Sequence, residues 1–169
     1  FSRYTARDMG AELVRFRREL RGDLKGLVLD MRMNPGGYLS QAVDVSDKFL
    51  DEGVIVATVE GGTGDRSEQR ATVPGTEAPY PIAVLVNGAS ASASEIVAGA
   101  IRNQGRGVII GERTFGKGSV QNIFPLESMD EKAALRMTIA YYYLPDGRLI
   151  HRPRDVEVWR FKERMRREI

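Results

Sequence analysis

At 169 residues, with 42% hydrophobic and 28% charged side chains, the chain is long enough for one packed core and too ordinary in composition for a fibrous, low-complexity or disordered protein. Its formal charge of +2 is too small to call for a nucleic acid partner, although arginines crowd both ends, Arg15, Arg17, Arg18 and Arg21 at one and Arg152, Arg154, Arg160, Arg164, Arg166 and Arg167 at the other. The absence of cysteine excludes disulfides and thiol chemistry without deciding the compartment, and no apolar run reads as a membrane span or a signal peptide.

Taken in chain order, Ala6, Met9, Leu13, Phe16 and Leu20 fall three and four apart, the stripe of a core-facing helix that Gly22 closes. Residues 25–31 form a short apolar run of the kind found in a buried parallel strand, and 38–50 return to helical period. A strand follows over 54–59. The Gly-rich polar stretch 60–70 reads as a surface loop feeding another strand at about 68–73. The apolar run 81–86 leads through Asn87-Gly88 into a helix whose buried face is Ile96, Val97, Ala100 and Ile101. Residues 108–111 make a further core strand, and 119–124 and 135–143 alternate as strands. Strands alternating with helices predict one α/β domain with a largely parallel sheet. Past it, Val158, Phe161, Met165 and Ile169 at helical spacing among arginines predict a basic amphipathic helix, docked on the body or on a second subunit.

The chemistry concentrates in two segments, Ser90-Ala91-Ser92-Ala93-Ser94-Glu95 and Phe115-Gly116-Lys117-Gly118-Ser119-Val120-Gln121. A serine hydroxyl is a poor nucleophile until a positioned base takes its proton. The one histidine, His151, stands near the last strand with no serine or acid motif around it and reads as a partly exposed strand residue. Lys117 remains, and a desolvated lysine is able to act as that base. The serine run begins a helix after a buried strand and a turn, where orphan backbone N–H groups and the helix dipole favour a developing oxyanion. Ser90 is well placed as a helix cap, and Ser94 with Glu95 falls in the first turn, where such side chains satisfy orphan amides. Spacing alone leaves the reactive serine open.

Gln121 lies four residues from Lys117, a separation that returns to the same face of a strand or a helix. Its neutral amide suits an amine that must lose its proton, because a carboxylate there would hold the proton on. The loop Asn34-Pro35-Gly36-Gly37 joins a core strand to a helix, so that a backbone N–H of Gly36 or Gly37, with that of Ala93, is the expected oxyanion hole. A competing motif, Gly111-Glu112-Arg113-Thr114-Phe115-Gly116-Lys117, has the first part of a nucleotide-binding P-loop, but Gly118 stands where a magnesium-binding Ser or Thr is needed and a strand follows where a helix is required.

The three segments Leu29-Asp30-Met31-Arg32-Met33-Asn34-Pro35-Gly36-Gly37, 90–95 and 115–121 occur in the order found in the carboxy-terminal processing peptidases, or tail-specific proteases, and the chain resembles that family over about residues 1–150. The resemblance implies a ClpP/crotonase-like spiral of strands and helices as a single catalytic core. It makes Ser92 the nucleophile, Lys117 the general base and Gln121 the residue that orients the lysine. The implied activity is a serine endopeptidase with a Ser/Lys dyad, cutting protein or peptide substrates near their carboxyl termini, with no metal or other cofactor. A non-catalytic peptide-binding relative of the same fold is the alternative. Met31 and Met33 depart from the usual leucine and polar residue, a difference expected to touch packing and not chemistry. Residues 151–169 depart further, as a divergent basic segment. The family implies an extracytoplasmic location and a PDZ domain in the full-length protein, with a homo-oligomer left open. Without a PDZ domain to hold the substrate's tail, this chain is expected to show little preference for a free carboxyl terminus.

Overall fold

The computed structural model describes residues 1–73, 75–126 and 134–152. The helix predicted beyond residue 153 lies outside them. The first helix, α1 (Thr5–Leu20), buries Ala6 and Leu13 and half-buries Met9 and Phe16 against the core, whereas Leu20 is 65% exposed, so the apolar stripe stops being core in its last turn. It ends one residue before the expected glycine. Arg21 takes the left-handed conformation at φ 52°, and its N–H and that of Gly22 return to the carbonyls of Arg18 and Arg17.

Three parallel strands, β1 (Leu27–Asp30), β4 (Ile82–Val86) and β5 (Val108–Gly111), make one sheet in the order β1-β4-β5, with Leu29 beside Val84 and Val84 beside Ile109. Four antiparallel strands, β2 (Val54–Glu60), β3 (Arg66–Arg70), β6 (Ser119–Pro125) and β7 (Ala134–Tyr143), make another in the order β3-β2-β7-β6. The α/β class therefore holds, but the expected predominance of parallel pairing does not. The connections from β2 to β3 and from β6 to β7 are too short for the crossover that a parallel pair needs, and each pair folds back as a hairpin. Strand β3 also starts earlier than predicted, because Arg66-Ser67-Glu68-Gln69-Arg70 is exposed throughout and owes its conformation to pairing with β2.

Two helices, α2 (Leu39–Asp47) and α3 (Ala93–Asn103), pack on each other and on β2. Ala42 and Val45 from the first, Phe49 just after it, Ile96, Val97, Ala100 and Ile101 from the second, and Ile55 and Val56 from β2 are almost wholly removed from water. Their burial supplies the hydrophobic stabilisation that holds the start of α3 rigid, at about 25 cal/mol per Å² of apolar surface removed from water.

Strand order decides where the chemistry falls. The loop 31–37 leaves the carboxyl end of β1, the serine segment leaves that of the central β4, and the lysine segment leaves that of β5. Adjacent parallel strands thus bring three segments, distant in sequence, to one edge of the sheet, the edge where α/β folds place ligands.

Candidate active site

Of the three clustered serines only Ser92 is partly accessible; Ser90 and Ser94 are fully buried and occupied. The Ser90 hydroxyl donates to the Met31 carbonyl at 2.8 Å and accepts from the Asn87 N–H at 2.9 Å. The Ser94 hydroxyl donates to the Asn34 carbonyl at 3.1 Å, and that same oxygen takes the Ala91 N–H at 3.0 Å. The two flanking serines therefore fasten the 31–37 loop to the serine segment. Ser90 is not the helix cap that its position suggested; the residue at the N-cap of α3 is Ser92.

Ser92 sits at φ 55° and ψ −115°, a conformation that L-residues seldom take and that surrounding structure must enforce. Gly36 shows how closely it is enclosed. At φ 97°, a side chain on Gly36 would come within 2.6 to 2.8 Å of the Ala91 carbonyl, the Ala93 nitrogen and the Ser92 Cβ. Only glycine lets the loop approach the serine this far.

The buried carboxylate of Glu95 binds both the serine and the lysine segments. Its Oε2 accepts the N–H of Ser92 and the N–H of Lys117, each at 2.8 Å, so the two amide nitrogens are no more than twice that distance apart. Its Oε1 accepts the Gly116 N–H and the Thr114 hydroxyl, each at 2.7 Å. The reading of Glu95 as a partner for orphan amides covered only the first of these four bonds. The Ser-x-x-Glu spacing of a capping box was the signal available in the sequence; nothing there announced the reach across to residues 114–117.

The lysine segment is fixed from its other side as well. The Gly116 carbonyl takes the Arg152 N–H at 3.0 Å and the Gly118 carbonyl takes the Tyr142 N–H at 2.7 Å. Gly118 is buried against the backbone of Ile150 and His151, where a side chain would collide at 2.3 Å with the His151 nitrogen. Lys117 itself is exposed and makes no side-chain hydrogen bond with a described residue, which departs from the desolvated amine expected. Its surroundings explain this. Lys117 and the exposed Gln121 share a polar hollow of about 330 Å³ with Arg136, His151 and Arg152, in place of an apolar pocket. His151 is half-buried there, its ring centroid 5.2 Å from that of Tyr141.

On the loop side, Gly36 is buried and its N–H is committed to the Asn34 side-chain oxygen at 3.0 Å, whereas Gly37 is exposed. Neither the Gly37 nor the Ala93 N–H has an acceptor among the described residues. The two methionines of this loop behave differently from each other. Met31 is buried in the core, but Met33 is 72% exposed at φ 59°, so its replacement of a polar residue is not a matter of packing. Nearby, the hydrogen bond from Arg32 holds the Asp30 carboxyl down to about 2. Among the described residues no group of His, Cys, Asp or Glu is arranged to hold a metal ion, and no helix is long and apolar enough to cross a membrane.

Because Ser90 is wholly enclosed, Ser90→Ala is expected to lower stability by about 1–3 kcal/mol, the cost of leaving the Asn87 N–H unpaired and the Met31 carbonyl with the Asn34 N–H alone, while retaining measurable hydrolysis. Thermal unfolding and kcat/KM of the purified variant check both parts. Complete inactivity in a well-folded Ser90→Ala protein would move the nucleophile to that residue.

Serine-type peptidases are the class to which this fold and the enforced serine at the head of α3 point. Comparison makes the class definite. The model of peptidase family S41 matches residues 1–158, and the chain belongs to that family. It is 47% identical over 148 residues to a carboxy-terminal-processing protease of Bartonella bacilliformis, covering 87% of this chain and 33% of that protein. To the carboxy-terminal processing protease CtpB of Bacillus subtilis it is 35% identical over 153 residues, covering 90% of this chain and 30% of that one. Among solved structures, the photosystem II D1 C-terminal processing protease superposes with a TM-score of 0.77 at 35% identity, over 89% of this chain and 37% of that chain. The chain thus spans about a third of the length of these relatives.

Proposed function

We propose that this chain carries the catalytic core of a Ser/Lys endopeptidase that cuts proteins near their carboxyl termini. The observation that carries the reading is the Glu95 carboxylate, which takes the backbone N–H groups of Ser92 and Lys117 on one oxygen and so holds the two residues in register. Ser92 Oγ attacks the scissile carbonyl, and its proton passes to Lys117 Nζ and on to the leaving amine. The N–H groups of Gly37 and Ala93 are the better pair for the oxyanion, since that of Gly36 is already spoken for by Asn34. Gln121, which lines the same hollow as Lys117, orients the amine without adding a charge. The exposed lysine is brought into hydrogen-bond reach and shielded from water when a substrate strand closes the site; such contacts commonly tighten only in the complex.

For the whole protein, an extracytoplasmic location, a PDZ domain that presents the substrate's tail and a homo-oligomeric assembly belong to the same proposal, supported by the likeness to carboxy-terminal processing proteases. The test is labelling with a fluorophosphonate probe followed by peptide mapping. Modification is expected at Ser92 in the native chain and is expected to be lost in Lys117→Arg, since a guanidinium does not give up its proton in a protein. Labelling at another serine, or undiminished labelling and hydrolysis in Lys117→Arg, would overturn the assignment.

A further inference from the structure

The hollow beside Lys117 has a chemical character that proton transfer does not require. Arg136, Arg152 and Lys117 all line it, together with Gln121 and the half-buried His151, and among the described residues that line it there is no aspartate or glutamate. Arg136 projects from β7, paired across the ladder with Ile123, so it stands two residues along the same face from the position paired with Gln121. Its guanidinium is exposed and makes no hydrogen bond or ion pair with a described side chain. Arg152 is anchored, its backbone N–H on Gly116 and its Nη2 on the Phe115 carbonyl at 3.1 Å, which leaves the rest of the guanidinium facing the hollow. Like charges gathered with no counter-charge among the described lining residues repel one another, and the arrangement is relieved by an anion that sits between them.

We propose that this hollow is a carboxylate subsite that binds a peptide's anionic group next to the scissile bond. Two arginine forks match the two oxygens of a carboxylate. The volume, about 330 Å³, is at the low end for ligand sites and suits the end of a peptide rather than a folded partner. The inference rests on the reading of Lys117 as the base, because that reading places the hollow within a short stretch of the bond cut. It gives the catalytic body its own means of choosing bonds near a chain end. It also reverses the expectation, drawn from the sequence, of little preference for a free carboxyl terminus. The carboxylate has two sources, the substrate's terminus or an Asp or Glu side chain close to the cut.

The experiment uses the Ser92→Ala form of the 169-residue chain. One fluorescent peptide is titrated in three versions: with a free carboxyl end, with that end amidated, and amidated with a glutamate as the last residue. Either anionic version is expected to bind about tenfold more tightly than the neutral amide, with the advantage shrinking as salt is raised. A preference for the free acid alone identifies the terminus as the source, and equal gains from both anions identify any carboxylate. Arg136→Gln is expected to cut the advantage to about threefold or less, and Arg136→Lys, which keeps the charge and loses the fork, to restore part of it. Both variants are compared at matched thermal stability. Equal binding of all three peptides, or an advantage untouched by Arg136→Gln, overturns the subsite. Because binding is read on a form that does not cut, failure here is separable from failure of the Ser/Lys assignment, which labelling of the native chain tests.

Discussion

Ser92→Ala is expected to lose on the order of 10³-fold or more in kcat/KM, and Ser92→Gly to be equally inactive yet the more stable of the two. The loss of activity follows from removing the attacking oxygen, since activators of a serine have nothing to act on without it. The difference in stability follows from the backbone. Ser92 holds φ 55° and ψ −115°, and an alanine inherits that strain unchanged because it keeps the Cβ. Such conformations cost about 1–3 kcal/mol in residues other than glycine. Glycine removes the steric penalty and gives back part of it through the greater freedom of its unfolded chain, about 0.5–1 kcal/mol. A net gain of about 1 kcal/mol over alanine corresponds to roughly 2–4 °C in Tm for a chain of this size. The measurements are peptide hydrolysis at substrate concentrations well below KM and thermal melts of both variants side by side. Hydrolysis by either variant at a rate near the native one would remove Ser92 from the mechanism. A glycine variant that melts below the alanine one would mean that the local conformation carries no strain.

The parts of this site that could be read from the sequence are those written in contiguous residues. Runs such as Leu27-Val28-Leu29 and Ile82-Ala83-Val84-Leu85-Val86 announce strands because they are continuous and apolar, and the glycines and serines that follow mark where each strand gives way to a loop or helix. The burial expected of them holds only for the central β4: in β1 only Leu29 is buried while Val28 is 62% exposed, and in β5 Val108 and Ile110 are exposed. The parallel order that sets the three loops side by side comes from pairing between strands far apart in the chain, which local pattern does not encode. Strand β3 shows the same limit, since five exposed residues with no apolar member become a strand only by lying against β2. The division of labour among the three serines was also out of reach. It depends on the carbonyls of Met31 and Asn34, about sixty positions away, which occupy two of the hydroxyls. Burial of Lys117 was expected on chemical grounds, but the residues that meet around it are Arg136, His151 and Arg152, brought by β7 and the segment after it. That encounter puts a cationic hollow where a desolvated amine was expected.

Glu95 carries the other large effect. Replacing it with alanine is expected to lower kcat by about 10²- to 10³-fold, because misplacement of reacting groups by about 1 Å costs on the order of 10²-fold. The substitution leaves four donors without an acceptor: the N–H groups of Ser92, Gly116 and Lys117, and the Thr114 hydroxyl. Stability should fall too, since each buried donor left unpaired costs about 1–3 kcal/mol where water does not reach it. Glu95→Gln separates alignment from mere packing. It keeps the shape but turns one acceptor oxygen into a donor. The amide group is best tolerated on the Oε1 side, where the Thr114 hydroxyl is able to rotate and accept, which leaves the Gly116 N–H facing another donor while Ser92 and Lys117 keep their shared oxygen. The expected result is a folded enzyme with kcat reduced about tenfold, KM little changed and fluorophosphonate labelling of Ser92 slowed in proportion. Thr114→Val, which removes one donor and leaves the carboxylate with three backbone partners, should change kcat far less than either. If Glu95 only filled space, activity would follow thermal stability across all three variants when assayed well below the melting transition. A folded Glu95→Ala enzyme with native kcat would show that the shared carboxylate does not align the nucleophile with its base, and native kcat in Glu95→Gln would show that the Gly116 bond takes no part in holding Lys117.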